Sequence, residues 1–235
     1  MALAYNSRIV RDGLVLHLDA ANVKSYPGSG STWFDLSGNG NNFTLAGVDY
    51  ISAEPKHFSL VDNQGDYAYR STTDVVGGLD DFTFDIVMRI DSFPQTLVTF
   101  ISYATTTNNN AILFGRNGAN QFTVWLGASS ATVAGPLDTD YNAGNFINFI
   151  LTRSGTNVKI YINSELKIDT NSYFTGTVET GGTLVFGQEQ DSPLGGFSTA
   201  QDFPGDIATY KVYAKALTTD EVKQNFFAYR GRYGI

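Results

Sequence analysis

The stretch Phe82-Thr-Phe-Asp-Ile-Val-Met-Arg-Ile90 decides the fold class. In an extended chain successive side chains point to opposite faces, so Phe82, Phe84, Ile86, Met88 and Ile90 share one apolar face. Downstream, further short apolar or alternating runs follow at regular spacing, over 97–103, 111–115, 121–126, 146–153, 158–162, 183–187 and 207–213. Upstream lie Leu14-Val-Leu-His-Leu18, just after Asp12-Gly13, and the alternating Asp66-Tyr-Ala-Tyr-Arg70. Turn pairs such as Asn117-Gly118 and Ser154-Gly155 separate several of them. Many short strands with turn-forming punctuation predict an all-β, two-sheet antiparallel sandwich.

A short C-terminal helix is the exception. Thr218-Thr-Asp-Glu221 has the spacing of a capping box, and Val222, Phe226 and Phe227 then supply an apolar face. No repeat or linker divides the chain. The reading is an N-terminal arm over 1–12, one domain over 13–229 and a basic tail over 230–235.

Composition agrees with this and excludes several functions. Of 235 residues, 42% are hydrophobic and 14% aromatic, with 24 Gly and only 16% charged, as suits a sandwich with a sizeable core. The formal net charge of −8 repels nucleic acid, which needs clustered Lys and Arg. No cysteine is present, so disulfide and thiolate chemistry are absent. Residues 1–11 lack the apolar core of a secretory signal, and no apolar run reaches the ~20 residues that span a bilayer. The expectation is a product made in a host cytoplasm, without membrane insertion, and released by lysis.

Two stretches resemble the concanavalin A-like superfamily, in particular the laminin-G-like domains of bacteriophage structural proteins. Gly13-Leu-Val-Leu-His-Leu-Asp-Ala-Ala-Asn22 with Trp33-Phe-Asp-Leu-Ser-Gly-Asn-Gly-Asn41 is similar to their opening. Phe203-Pro-Gly-Asp-Ile-Ala-Thr-Tyr-Lys-Val-Tyr-Ala-Lys-Ala-Leu-Thr-Thr-Asp-Glu-Val222 is similar to their closing strand and helix. The resemblance implies a jelly-roll architecture. It specifies fold better than function.

A third stretch resembles the calcium-binding loop of pentraxins: Phe186-Gly-Gln-Glu-Gln-Asp-Ser192, then Gly195-Gly-Phe197 and Gln201. Upstream, Ile101-Ser-Tyr-Ala-Thr105 leads to Asn108-Asn-Asn110, where pentraxins place an Asp-Asn pair at the metal. The resemblance implies Asn109, Asn110, Glu189 and Asp191 as calcium ligands, Gln190 through its backbone carbonyl, and Gln201 at a second ion. Ser198 stands where pentraxins carry Glu, so one carboxylate is missing and a single ion is expected.

The chemistry of the residues bears on the same point. Glu189 and Asp191 fall on one side of an extended segment and would repel unless a cation or proton lay between them. Calcium takes about 6–8 oxygen ligands, and neutral amides at 109 and 110 add oxygens without further repulsion. On spacing alone, however, the pair reads more readily as a solvated, turn-rich acidic loop, and it is the pentraxin resemblance that brings calcium level with it.

Other chemistries fit less well. Glycoside hydrolases of this fold carry Glu-x-Asp-x-x-Glu, but here the third position is Leu194. His17 reads as a strand histidine at the surface or in a hydrogen bond, and His57 as a loop residue, with no nucleophile elbow near either. Tyr103, Phe197 and Trp125 are the aromatics considered for stacking on a sugar, with Phe197 inside the acidic loop and Trp125 assigned to the core.

The expected function is a non-catalytic virion surface protein of head-decoration or fibre type, bearing a lectin-like fold that binds host-surface glycans with calcium assistance. Its expected partners are other virion proteins, cell-surface carbohydrate and further copies of itself. A purely structural capsid or tail scaffold without a ligand is the alternative.

Overall fold

A computed structural model describes residues 8–61, 65–70, 74–91, 98–107, 111–116, 121–126, 129–133, 144–171 and 176–235. The chain opens with Leu14–Asp19 (β1), Thr32–Trp33 (β2), Phe43–Ala46 (β3), Asp49–Ile51 (β4), His57–Leu60 (β5) and Tyr67–Arg70 (β6). Phe82–Ile90 (β7), Val98–Ala104 (β8), Ile112–Arg116 (β9), Phe122–Leu126 (β10) and Ser129–Val133 (β11) follow. Then come Phe146–Ser154 (β12), Asn157–Ile162 (β13), Glu165–Asn171 (β14), Thr183–Phe186 (β15), Gly205–Tyr213 (β16) and the helix Thr219–Tyr233 (α1).

The strands form two 8-stranded sheets in which every pairing is antiparallel. One runs β14-β13-β12-β7-β16-β5-β4, with β1 also on β16; the other runs β11-β10-β9-β8-β15-β6-β3-β2. Their facing sides supply one core, in which Phe82, Phe84, Ile86, Met88 and Ile90 are buried as their alternation predicts. Rings pack through it: Phe114 stacks on Phe149 of the facing sheet at 4.8 Å, and Phe43 on Phe186 of its own sheet at 4.7 Å. This is the jelly-roll-type sandwich the sequence indicates.

The opposite face of β7 is buried as well, because α1 lies over it. Val87, Ile150, Tyr161 and Tyr213 pack there against Val222, Tyr229 and Tyr233. The capping box forms as predicted, with Glu221 N–H donating to Thr218 Oγ1 at 3.3 Å and Thr218 N–H to Glu221 Oε2 at 2.9 Å. The buried stripe is Val222, Asn225, Phe226, Tyr229 and Tyr233. Phe227, expected on that stripe, lies one residue off its period and is only half-buried.

The described parts of both flanking segments pack onto the domain. The segment 230–233 continues α1, and Gly234 closes it in the left-handed region at φ 70. At the other end Ile9 and Val10 are buried beside the helix, with Val10 N–H donating to Asn225 Oδ1 at 2.8 Å.

His17 takes the hydrogen-bonded alternative: it is a buried strand residue whose Nε2 meets Tyr229 Oη at 2.8 Å. Two other side chains differ from expectation. His57 belongs to β5, not a loop, and lies 3.6 Å from the buried Asp206 carboxylate. In β10 it is Val124 and Leu126 that enter the core; Trp125, on the alternate face, is half-buried.

Candidate functional site

The acidic loop leaves β15 through Gly187, which adopts φ 85. A Cβ there would sit 2.2 Å from Leu60 Cδ2, so both the turn and the close approach require glycine. Beyond it the loop is fixed by buried amides. Ser102 Oγ donates to the Gln188 carbonyl at 2.7 Å, and Gln188 Oε1 accepts from Glu189 N–H at 2.9 Å. Gln190 Nε2 donates to the Thr183 carbonyl at 2.8 Å and the Ser102 carbonyl at 3.2 Å, while its Oε1 accepts from Leu194 N–H at 3.0 Å. Its side chain is thus fully committed, and the group it retains for a ligand is its backbone carbonyl.

A tight turn then reverses the chain. Asp191 N–H and Ser192 N–H both donate to the Gly195 carbonyl, at 3.0 and 3.1 Å. Leu194 takes φ 54 and Gly196 φ 70. A Cβ on Gly196 would lie 2.5 Å from Asp191 Cβ, so this glycine keeps Asp191 in place.

This frame presents Glu189 unusually. The residue is 5% exposed, and its Oε2 is buried without a hydrogen-bond partner. Burial, then the charge of Asp191 and a hydrogen bond between the two carboxyls, push its pKa from 4.5 up to about 7; a backbone hydrogen bond from Ser198 pulls the other way. Asp191 itself is exposed. A buried carboxylate oxygen with no donor, beside a second carboxylate at the protein surface, is the arrangement a cation or a shared proton relieves. The oxygen-only donor set suits a hard divalent ion such as calcium. The residues present therefore fit one.

The other expected site residues divide. Asn109 and Asn110 lie outside the described residues. Gln201 ends a short 3-10 turn over Thr199–Gln201 and is half-buried. Phe197 lies against Tyr67, with ring centroids 4.9 Å apart, and both are partly accessible. Tyr103 is not a surface aromatic. It is 0% exposed, and its hydroxyl donates to Asp74 Oδ1 at 2.5 Å and lies 3.0 Å from the Glu179 carbonyl, while accepting from Gly182 N–H at 2.9 Å. Two segments, one at Asp74 and one over 179–182, converge on that hydroxyl, which the sequence around residue 103 does not reveal. Sequence reading also passed over Gln188 and Ser102, whose only signal is a polar side chain next to or within a buried strand.

The geometry defines an all-β lectin-type sandwich with a rigid acidic loop at one end. A family model described as the concanavalin A-like lectin/glucanases superfamily, a laminin-G type, matches residues 62–223, and the chain belongs to that family. Rat serum amyloid P-component is 27% identical over 139 residues, 59% of this chain and 60% of that protein. Mouse C-reactive protein is 27% identical over 142 residues, covering 60% and 62%. The chain thus spans about 60% of the length of the curated relatives it matches. Among solved structures, a heptameric pentraxin from Limulus polyphemus superposes with a TM-score of 0.60 at 19% identity, over 70% of this chain and 78% of that one. The botulinum neurotoxin serotype G binding domain gives 0.69 at 16% identity, over 91% and 50%, and a Trypanosoma rangeli sialidase 0.60 at 13%, over 92% and 33%. At these identities the solved structures share the fold alone.

Proposed function

We propose that the protein is a non-catalytic binding module of a bacteriophage virion surface, of head-decoration or fibre type, which uses one calcium ion at the acidic loop to orient a host-surface glycan. The observation that carries this reading is the buried, partnerless Oε2 of Glu189 beside Asp191. Glu189, Asp191 and the Gln190 carbonyl would hold the ion, with Asn109 and Asn110 as the further ligands the pentraxin resemblance implies; Gln201, matched to a second ion, is not needed for it. When bound, calcium supplies a positive centre that accepts hydroxyl or carboxylate oxygens of a ligand. The chain's own contribution is positional: Gln188 and Gln190 fix the loop, and Phe197 on Tyr67 offers an aromatic surface alongside.

Resemblance supports the metal and the virion setting, through the pentraxin-like loop and the phage-like opening and closing motifs. Synthesis in a host cytoplasm, partnership with other virion proteins and self-association belong to the same proposal. The heptamer of the Limulus pentraxin offers a precedent for the last. Against hydrolysis stands Leu194, where a third carboxylate would be needed.

The test is thermal melting of the purified chain in calcium and in excess chelator. A ligand at about 100 times its Kd stabilises the native state by roughly 2.7 kcal/mol. At ~2–4 °C per kcal/mol for a domain of this size, the midpoint should rise by about 5–10 °C. The rise should vanish in Glu189→Gln. Identical melts would leave the scaffold reading, and copurification with intact particles tests the virion setting separately.

A further inference from the structure

The outer face of the helix-bearing sheet carries a second concavity, remote in sequence from the acidic loop. On β12 the inward residues are Ile147, Phe149 and Leu151, so Thr152 and Ser154 alternate onto the face that holds α1. On β13, Val158, Ile160 and Ile162 point inward, which leaves Asn157, Lys159 and Tyr161 on that same outer face. Register places Thr152 opposite Lys159 and Ser154 opposite Asn157. The chain entering α1 supplies the remaining wall, held down by Thr83, whose Oγ1 donates to the Lys215 carbonyl at 2.8 Å and accepts from Leu217 N–H at 2.9 Å. The result is a cleft of about 340 Å³.

Its lining mixes an apolar base with converging polar groups. Tyr161 and Leu217 are almost completely buried and form the base. Thr152 is 3% exposed, lines the cleft, and its hydroxyl has no hydrogen-bond partner among the described residues. Asn157 commits its Nδ2 to Asp169 Oδ1 at 2.8 Å, which leaves the amide oxygen to accept. Thr219 contributes a hydroxyl 3.4 Å from Tyr161 Oη.

Charge selects among ligands. The amine of Lys159 is already met by Asp169 at 3.3 Å, and Ser154 lies beside Asp81. The first turn of α1 carries Asp220 and Glu221, so the positive end of the helix is met by its own carboxylates. An anion finds no uncompensated positive charge here. A neutral ligand with several hydroxyls finds donors and acceptors over an apolar base, in a cleft at the small end of the usual range for such sites.

We infer that this cleft between the β12–β13 hairpin and the start of α1 binds one neutral sugar residue, independently of the acidic loop and of calcium. Thr152 is its central hydrogen-bonding group. The site would stand even if the loop bound no metal.

The experiment is an amide-shift NMR titration of the full chain, in chelator, with D-glucose, D-galactose, D-mannose and N-acetyl-D-glucosamine at millimolar concentration. At least one should shift the amides of Thr152, Ser154, Lys159 and Thr219 saturably. Thr152→Val keeps the shape and strand preference of the side chain, and should weaken that binding about fivefold or more, the scale of one lost hydrogen bond. Thr219→Val, at an exposed position, should weaken it to a smaller extent, and Glu189→Gln should leave it unchanged. The inference is overturned if none of the four sugars moves those amides, if inorganic sulfate moves them as strongly, or if binding is insensitive to Thr152→Val or abolished by Glu189→Gln.

Discussion

Two buried carboxylates of this molecule, Asp85 and Glu189, meet opposite fates. Asp85 lies beneath α1 at 0% exposure, surrounded by donors. Lys211 Nζ is 3.3 Å from its Oδ1, Asn148 Nδ2 donates to the same oxygen at 2.7 Å, and Asn225 Nδ2 donates to Oδ2 at 2.7 Å. Asn225 also donates to Tyr213 Oη at 2.9 Å, and the Lys211 amine sits 4.3 Å from the Tyr229 ring centre. Glu189 is buried almost as deeply, yet its Oε2 has no donor and its nearest charged neighbour is another carboxylate. The first arrangement is complete within the chain and fastens a helix to a sheet. The second is incomplete, and completion by something outside the chain is what marks it as a site.

Breaking the complete network should have the largest effect. Lys211→Met leaves the Asp85 charge buried without its ion partner, a change that typically costs about 3–5 kcal/mol. The melting midpoint should fall by ~6–20 °C. Adding Asp85→Leu should recover much of that loss, because removing both charges spares the desolvation penalty. If the single variant melts like the parent, the network does not hold the helix.

The incomplete site should behave in reverse. Glu189 has its pKa raised above the unfolded value, so its protonated form stabilises the calcium-free protein fully below about 4.5, and that contribution is lost as pH rises through about 7. In chelator at pH 8, Glu189→Gln should therefore raise stability, by roughly 1–2 kcal/mol, and the gain should shrink towards pH 5. Denaturant melts at the two pH values measure it. A loss of stability at pH 8 would mean that the charged carboxylate is satisfied after all.

A smaller effect belongs to His17. Burial, reinforced by the nearby Lys211, lowers its pKa from 6.5 to about 3. Its contribution is present above 6.5 and is lost as pH falls through that window towards 3. His17→Gln, which retains a polar group towards Tyr229, should flatten the acid limb of the stability profile while costing no more than about 1 kcal/mol at neutral pH. An unchanged acid limb would assign that loss to other groups.

Much of this architecture is legible in the sequence because the core strands carry it in their alternation. The strands β7, β12 and β16 are long and apolar, and each was visible. The six missed strands are short or polar. Asp49–Ile51 is three residues at a sheet edge, and Glu165–Asn171 is largely exposed on the opposite edge, so neither shows an apolar period. The capping box was equally visible, since it is a local pattern.

The site was legible only as far as local spacing reaches. Glu189-Gln-Asp191 could be seen as an acidic pair, but the burial of Glu189 could not, because the loop is anchored on either side of it by bonds from Ser102 on β8 to Gln188 and from Gln190 to Thr183 on β15. Tyr103 failed as a surface residue for the same reason: Asp74, Glu179 and Gly182 bury it from distant points of the chain.

Calorimetric titration of the chain with calcium, run near pH 7 in buffers of different ionisation enthalpy, tests the central claim most directly. Binding to Glu189 must displace the proton that the empty loop favours. The account predicts release of about half a proton per ion near pH 7, falling towards zero by pH 9, with both binding and release lost in Glu189→Gln. Absence of calcium binding, or binding without proton release that Glu189→Gln leaves intact, would contradict it.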